Sequence, residues 1–187
     1  MRGMRRLIAI KLSTAPMGRA LPDLPMVETV MVRLVRSAAA EMTDFFEPVF
    51  REIGLSENAF HVLCLLLAAE DGELSPSVLS DLVGTSRANM TKIIESLTAS
   101  DYASRREVKH DGRRQVIAIT EAGKAAALAA LPTLSRPLKM AFSGLTTEEM
   151  AQLDSLLRKV VVSFDNGALE LDATTIFGNP VKEDGPG

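Results

Sequence analysis

One continuous run, Ser75–Gly123, constrains the fold of this chain more than any other stretch. The Ser75-Pro76 pair predicts the start of a short helix, because serine caps helix N-termini and proline suits the first helical position. Gly84 predicts the end of that helix. A hydroxyl residue at position 85 or 86 can cap a second helix, which we expect to run to about Ala99. The run therefore opens with two helices joined by a tight turn.

A two-stranded ribbon is predicted to follow these helices. Strand-forming residues occupy Tyr102–Val108 and Gln115–Ile119, and the second segment alternates cleanly between its two faces. The Asp111-Gly112 pair predicts the turn between the strands. Polar and basic residues surround this turn: Lys109, His110, Asp111, Gly112, Arg113 and Arg114.

Long helices are predicted on both sides of this unit. Apolar residues recur at spacings of three and four between Met26 and about Arg51, and an apolar helix is expected over residues 57–70. A further helix starts at Glu121 and must accommodate two prolines before Gly144. A capping box, residues 146–149, opens the last helix. The predicted fold is mainly α with a small β-hairpin wing.

The two ends of the chain give weaker signals. Residues 1–25 contain three prolines and no sustained periodicity, so we expect a partly disordered N-terminal extension. We expect a domain over residues 26–166 and a C-terminal tail over 167–187, to which no function is assigned. Within the domain, residues 55–120 form the compact part, flanked by long helices over 26–51 and 121–166.

Composition limits the class of protein. A hydrophobic content of 47% excludes wholesale disorder, and no apolar run approaches the roughly 20 residues of a membrane-spanning helix. The apolar stretch near the N-terminus ends at Lys11, which is too early for a secretory signal. One cysteine, Cys64, excludes an intramolecular disulfide. These observations favour a cytoplasmic protein.

Charge is distributed unevenly although the net charge is only −3. Residues 26–73 carry three arginines against nine acidic residues, a net charge of −6. Residues 105–114 carry five basic residues against two acidic ones, a net charge of +3. An acidic protein can therefore still present a basic ribbon to a polyanion.

The second helix of the run has two distinct faces. Met90, Ile93, Ile94 and Leu97 form an apolar side that must pack on a core. Side chains suited to base edges and phosphates lie opposite: Ser86, Arg87, Asn89, Thr91, Lys92 and, further on, Ser96. An ordinary solvated face is the alternative interpretation. The preceding helix and turn and the following basic ribbon favour a recognition helix for double-stranded DNA.

The ribbon tip supports the same interpretation. Asp111 lies two residues before Arg113, so its carboxylate can brace one guanidinium and leave a second arginine free to enter a narrow minor groove. Simple surface charge is the alternative. The sequence does not decide which of Arg113 and Arg114 has which task.

Taken together, these motifs resemble the MarR family of winged helix–turn–helix transcriptional regulators over about residues 27–164. The resemblance depends on five pieces in register: Ser75-Pro76-Ser77-x-Leu79, Ser86-Arg87-Ala88-x-Met90-Thr91, Asp111-Gly112-Arg113-Arg114, Ile119-Thr120-Glu121-Ala122-Gly123 and Gly144-Leu145-Thr146-x-Glu148-Glu149.

The resemblance implies a homodimer whose first and last helices intertwine, with a recognition helix in the major groove and a wing in the minor groove. It also implies a small-molecule effector between the dimerisation and DNA-reading parts. The long terminal helices independently favour a dimer, because they carry more apolar surface than a small core can bury. A two-fold dimer predicts a pseudo-palindromic operator. We expect a repressor.

The sequence says less about how the protein senses a signal than about how it binds DNA. The candidate wall for a small aromatic or phenolic effector is Phe45, Phe46, Val49, Phe60 and His61, with Phe142 as a further candidate, and simple core packing is the alternative. Cys64 lies in the apolar helix, so an inert thiol is favoured over a redox sensor. Two separated histidines do not make a metal site, and no cofactor is implied.

No catalytic constellation is recognisable, so an enzyme is not expected. A redox-sensing regulator acting through Cys64 and a winged-helix protein-interaction module remain the alternative functions.

Overall fold

The structure, a computed structural model, describes the backbone of residues 2–108 and 111–177, and the side chains of these residues apart from 108, 111–114 and 167–177. The described elements, in chain order, are α1 (Arg2–Ala20), α2 (Met26–Ile53), α3 (Glu57–Ala68), β1 (Glu73–Leu74), α4 (Pro76–Val83), α5 (Arg87–Ala99), β2 (Ala103–Val108), β3 (Asp111–Ile119), α6 (Glu121–Ala141) and α7 (Thr147–Phe177).

Serine caps set the starts of the three central helices. The Oγ atoms of Ser56, Ser75 and Ser86 accept hydrogen bonds from the backbone N–H three residues further on, at 3.1, 3.4 and 3.2 Å. Each bond satisfies an N–H that has no partner within the helix. The predicted starts of α3, α4 and α5 are confirmed.

Three antiparallel strands form a small sheet in the order β1-β3-β2. In β2 and β3, pairing runs from Ala103 opposite Ile119 to Glu107 opposite Gln115. The two-residue strand β1 pairs with Ala118 and Ile117 on the other edge of β3. The sequence did not predict β1, because two residues are too short for an alternating pattern.

The main core lies between the sheet and helices α3, α4 and α5. Its fully buried side chains include Val62, Leu63, Leu66, Leu79, Met90, Ile94, Leu97 and Ile117. Helices α3 and α5 each supply three of these residues. This core fixes the orientation of α5 and of the β2–β3 hairpin relative to each other.

A second, smaller cluster connects α2 with α6. Phe46 and Phe50 of α2 pack with Ala130 and Leu134 of α6, and Phe60 completes the aromatic group. Helix α6 continues through Pro132 and Pro137 to Ala141. The sequence predicted a helix over Glu121–Ala130 with a continuation up to Gly144 that must accommodate both prolines, and the structure makes that continuation helical.

Residues 1–25 differ from the sequence-based prediction. The structure forms helix α1 over Arg2–Ala20 in place of a partly disordered extension, and Ile10 of α1 is buried. Two ion pairs hold α1 on α2: Arg6 Nη1 lies 2.7 Å from Glu41 Oε1, and Arg2 Nη1 lies 3.7 Å from Asp44 Oδ2. Tertiary contact with α2 therefore stabilises a helix that the local sequence does not predict.

The C-terminal tail also differs in part. The predicted tail begins at residue 167, but α7 continues to Phe177. The predicted capping box is present at the start of α7, where Thr146 and Glu149 exchange two hydrogen bonds of 2.8 and 3.2 Å. Residues 178–187 lie outside the described residues.

The chain divides into two compact units, residues 1–138 and residues 139–187. The first unit contains both apolar clusters and the sheet. The second contains the end of α6 and helix α7, along which Leu156, Leu157, Val160, Val161 and Phe164 are exposed. Among the described helices, none is long and apolar enough to cross a membrane.

Candidate nucleic-acid interface

Hydrogen bonds and a left-handed glycine define the turn between α4 and α5. Gly84 ends α4 in the left-handed conformation, with φ of 70°, and its backbone N–H donates to the last carbonyl groups of the helix. The buried hydroxyl of Ser80 donates to the carbonyl oxygen of Thr85 at 2.6 Å, and the N–H of Thr85 donates to the carbonyl of Ser80 at 3.1 Å. These bonds fix the angle between the two helices.

One side of α5 is buried and the other is exposed. Met90, Ile93, Ile94 and Leu97 are no more than 8% exposed and pack into the main core. All six side chains predicted for the DNA-facing side are exposed: Ser86, Arg87, Asn89, Thr91, Lys92 and Ser96. The structure therefore brings the predicted recognition residues onto one accessible surface.

Three of these side chains are already ordered by local hydrogen bonds. Ser86 Oγ caps the helix at Asn89 N. The side-chain amide of Asn89 donates to Thr85 Oγ1 at 2.8 Å, and Thr91 Oγ1 donates to the carbonyl of Arg87 at 3.0 Å. The Asn89 amide keeps its carbonyl oxygen and one N–H for an outside partner.

Arg87 and Lys92 form no ion pair among the side chains that the structure describes. Arg87 is the first residue of α5, where the helix dipole disfavours a positive charge. Its charge therefore does not stabilise the helix. An external anion would relieve this unfavourable placement.

The wing differs from the prediction at its turn. Pairing continues to Val108 opposite Asp111, so the Asp111-Gly112 pair begins strand β3 and does not form the turn. Between this pair and the pair of Glu107 with Gln115 the register shifts, so residues 112–114 of β3 form an irregular, bulge-like segment. The register therefore places Arg113 and Arg114 in this segment at the end of the hairpin.

The predicted wing residues lie at the tip of the hairpin, between residues 109 and 114. Lys109 and His110 lie outside the described residues. The side chains of Asp111, Arg113 and Arg114 also lie outside the described part of the structure, and the brace between Asp111 and an arginine stays a prediction.

One ion pair at the base of the wing was not foreseen. Arg106 Nη1 of β2 lies 2.7 Å from Glu73 Oε1 of β1, and this carboxylate is partly buried. Glu73 is 33 residues away in sequence, so only the pairing of both strands with β3 brings the two side chains together. The paired carboxylate of Glu73 compensates the charge of Arg106. Arg106 therefore contributes less to the positive charge of the ribbon than the sequence suggested.

The predicted effector wall includes buried and exposed residues, and the ring of Phe45 lies edge-on to that of Phe46 with 5.0 Å between the ring centroids. Phe46, Val49 and Phe60 pack in the α2–α6 cluster, whereas Phe45 and His61 are exposed. Phe142 is half-buried in the second unit. A cavity of about 310 Å³ adjoins this cluster at Phe50, where it is lined by Thr43, Glu47, Phe50, Arg51, Leu55, Ser56 and Glu57.

Cys64 is partly buried in α3, and burial raises the pKa of its thiol above the ordinary value. The thiolate is the reactive form, so a raised pKa lowers its concentration at neutral pH. We expect Cys64 in the folded protein to react with iodoacetamide at pH 7 more slowly than a cysteine in an unstructured peptide, with the rate rising only at more alkaline pH. Equal rates in the two samples would contradict this expectation.

Comparison with known proteins shows which proteins this chain resembles. The sequence profile of the MarR family matches residues 53–114. The chain is 29% identical over 143 residues to the transcriptional repressor MprA of Escherichia coli. The aligned region covers 76% of this chain and 81% of MprA.

Solved structures share the fold. The MarR-family regulator Sco3205 of Streptomyces coelicolor, crystallised with DNA, superposes with a TM-score of 0.69 at 20% identity, covering 74% of this chain and 88% of Sco3205. BpsR of Bordetella bronchiseptica superposes with a TM-score of 0.63 at 23% identity, covering 68% of this chain and 90% of BpsR. Over residues 53–114 the chain matches the MarR family, and its winged helix–turn–helix fold is that of the solved MarR-family regulators.

Proposed function

We propose that this chain is a homodimeric, sequence-specific DNA-binding repressor of the cytoplasm, released from its operator by a small molecule. The exposed face of α5 supports DNA readout most directly. It presents Arg87, Asn89 and Lys92 beside three hydroxyl groups, opposite a side that is almost fully buried. Arginine and asparagine match the base edges of guanine and adenine, and lysine matches phosphate. We expect no enzymatic activity, because the family that the chain matches over residues 53–114 consists of transcriptional regulators.

The exposed apolar surface of the long helices supports a homodimer. Large apolar side chains of α2, α6 and α7 that core packing leaves exposed include Val27, Met31, Val35, Leu128, Leu131, Leu157, Val161 and Phe164. A soluble monomer rarely leaves so many large apolar side chains exposed along its helices. A two-fold dimer places two recognition helices about one turn of DNA apart, which requires a pseudo-palindromic operator.

The comparisons support the proposals that this chain represses transcription and that an effector controls its DNA binding. MprA is named a transcriptional repressor, and DNA binding by BpsR is regulated by 6-hydroxynicotinic acid. For this chain we propose a small aromatic or phenolic effector, bound near the α2–α6 cluster. Phe50 and Leu55 form the apolar part of the cavity wall, and Arg51, which is paired with Glu47 at 2.6 Å, lies beside them. A ligand that binds the folded protein raises its melting temperature. Thermal-shift measurements with a panel of phenolic compounds therefore identify candidate effectors.

The wing gives the experiment that tests DNA binding. Wild-type protein should bind its own promoter region with an affinity that falls steeply as salt rises, because phosphate contacts release counterions. Replacing Arg113 and Arg114 with alanine should weaken binding at least about tenfold, and each lost phosphate contact should make the logarithmic salt slope shallower by about 0.9. Fluorescence anisotropy at several salt concentrations measures both quantities. Unchanged affinity and slope would refute the assignment of the wing.

A further inference from the structure

The inner side of helix α1 is held against α2. Arg6 Nη1 lies 2.7 Å from Glu41 Oε1, and Arg33 Nη2 of α2 donates to Ser13 Oγ of α1 at 2.8 Å. Ile10, which lies between these contacts in sequence, is 7% exposed. Positions 6, 10 and 13 share one side of the helix because they are spaced by four and three residues. These contacts therefore fix which side of α1 faces away from α2.

The side of α1 that faces away from α2 carries a line of apolar residues. Met4, Ile8 and Leu12 are spaced four residues apart and are 60%, 50% and 70% exposed. Two residues correspond to about 200° of rotation in an α-helix, so Ile8 and Leu12 lie almost opposite the buried Ile10. A helix whose outer side meets only water carries polar residues there. The line therefore indicates a partner for this side of the helix.

Positive charge accompanies the apolar line. Residues 2–20 contain five basic residues and no acidic residue. Arg2 and Arg6 are paired with acidic residues of α2, whereas Arg5, Lys11 and Arg19 are exposed and form no ion pair among the side chains that the structure describes. At about 100° per residue, Arg5 lies on one flank of the line, Lys11 lies on the other, and Arg19 continues it. The line and these three cations form the outer face of α1.

The outer face of α1 is not a continuation of the apolar surface of α2. Met26, Arg33 and Glu41 mark the side of α2 that contacts α1. The exposed apolar residues of α2 lie roughly 135° further around that helix. These residues are Val27, Met31, Val35 and Met42. Helix α2 therefore lies between the two surfaces, which face away from each other, and a separate partner is needed for α1.

The chemistry of the outer face restricts that partner. It must offer apolar groups to the central line and negative charges on both sides of it. The phosphates of DNA would satisfy the cations but would leave the apolar line in water. The interface of an anionic phospholipid bilayer provides acyl chains below a layer of phosphates, and arginine and lysine side chains can reach those phosphates while their aliphatic parts follow the apolar surface. A bilayer also accepts the convex outside of a helix without a matching recess.

We propose that the outer face of α1 binds the surface of an anionic phospholipid bilayer. The line of Met4, Ile8 and Leu12 enters the boundary of the acyl chains, and the three exposed cations contact lipid phosphates. Helix α1 lies along the bilayer and does not cross it, since no described helix is long and apolar enough to span a membrane. This contact is separate from DNA binding, for which α5 is proposed.

Vesicle sedimentation with the full-length protein tests the apolar line. Wild-type protein should sediment with vesicles of equal parts phosphatidylglycerol and phosphatidylcholine, and much less with phosphatidylcholine alone. Ile8→Ser with Leu12→Ser should lower the partition coefficient on the anionic vesicles at least about fivefold, because apolar surface is no longer buried. Ala9→Ser with Ala20→Ser is the matched control, since both alanines are exposed on α1 outside the line. Circular dichroism checks that the helix content is the same.

A second pair of variants tests the cations. Arg5→Gln with Lys11→Gln should lower partition onto the anionic vesicles at least about tenfold, because basic residues near an anionic surface each contribute to binding. Arg87→Gln with Lys92→Gln removes the same number of exposed charges from α5. This control should sediment with the vesicles nearly as well as the wild type. Equal losses in the two variants would show that only overall charge matters and would overturn the proposal.

The remaining outcomes also decide the question. A wild type that stays in solution with both kinds of vesicle, or that binds both equally, would overturn the proposal. If Ile8→Ser with Leu12→Ser weakens dimerisation in sedimentation equilibrium while vesicle binding is unchanged, the outer face contacts a second copy of the chain. If Arg5→Gln with Lys11→Gln weakens DNA binding and leaves vesicle binding unchanged, the cations contact DNA. Either result would replace the bilayer as the partner of α1.

Discussion

Replacing Arg87, Asn89 and Lys92 together by alanine should reduce the affinity for operator DNA at least about 100-fold, because each base or phosphate contact contributes about 1–3 kcal/mol and the dimer loses both sets. The fold should be unaffected. All three side chains are exposed, and the cap from Ser86 to the backbone of residue 89 is retained. Removing Arg87 from the first turn should leave α5 equally or slightly more stable.

A control variant distinguishes the loss of direct DNA contacts from the loss of net positive charge. Lys139→Ala with Lys159→Ala removes the same number of positive charges from exposed positions on α6 and α7. This variant should bind operator DNA nearly as tightly as the wild type. Anisotropy titrations at one salt concentration compare the three proteins. Equal losses in both variants would show that α5 acts only through overall charge and would contradict its assignment as a recognition helix.

Gly123→Ala should be strongly destabilising. A methyl group at Gly123 would collide with the backbone carbonyl of Tyr102 and would lie 3.1 Å from Ile119 Cγ1. The surroundings cannot yield easily, because Thr120 binds the same loop through Asp101 O and Tyr102 O. We expect a loss of about 3 kcal/mol in the free energy of unfolding, which lowers the melting temperature by roughly 6–12 °C.

Gly144→Ala is the matched control for this substitution. A methyl group there meets nothing within 4 Å, and Gly144 does not have a positive φ. Replacing glycine at a compatible position restricts the unfolded chain, so stability should be unchanged or slightly higher. Urea denaturation of both variants measures the difference. Similar midpoints for Gly123→Ala and the wild type would contradict the close approach of α6 to the loop before β2.

The central part of the fold was predictable because its signals are local. Ser56, Ser75 and Ser86 cap helices with their own side chains, and Gly84 ends α4 through its backbone conformation. The two faces of α5 were also evident from spacing alone, since one side must be buried. The candidate recognition residues follow from that division and needed no knowledge of distant contacts.

Features that depend on contacts between distant segments were not predictable. Helix α1 has apolar residues on two faces, with Ile10 inside and Met4, Ile8 and Leu12 outside, so it shows no single apolar stripe. Its inner face is fixed by ion pairs with α2. The pairing of Arg106 with Glu73 likewise requires strand β1, which is too short to predict.

The wing illustrates a conflict between local and non-local preferences. The Asp111-Gly112 pair favours a turn by itself. The structure instead pairs Asp111 with Val108, and the irregular segment over residues 112–114 restores the register of the rest of the hairpin. The pattern of buried residues at Ile117 and Ile119 fixes that register, because a slip by one position would expose them.

Selection of binding sites from random DNA duplexes tests the central claim most directly. Wild-type protein should enrich a pseudo-palindrome whose half-sites are about 10 base pairs apart from centre to centre. The variant lacking Arg87, Asn89 and Lys92 should enrich no such sequence under the same conditions. If the wild type also enriches no palindrome, α5 does not read DNA, and a winged-helix protein-interaction module becomes the better description of this chain.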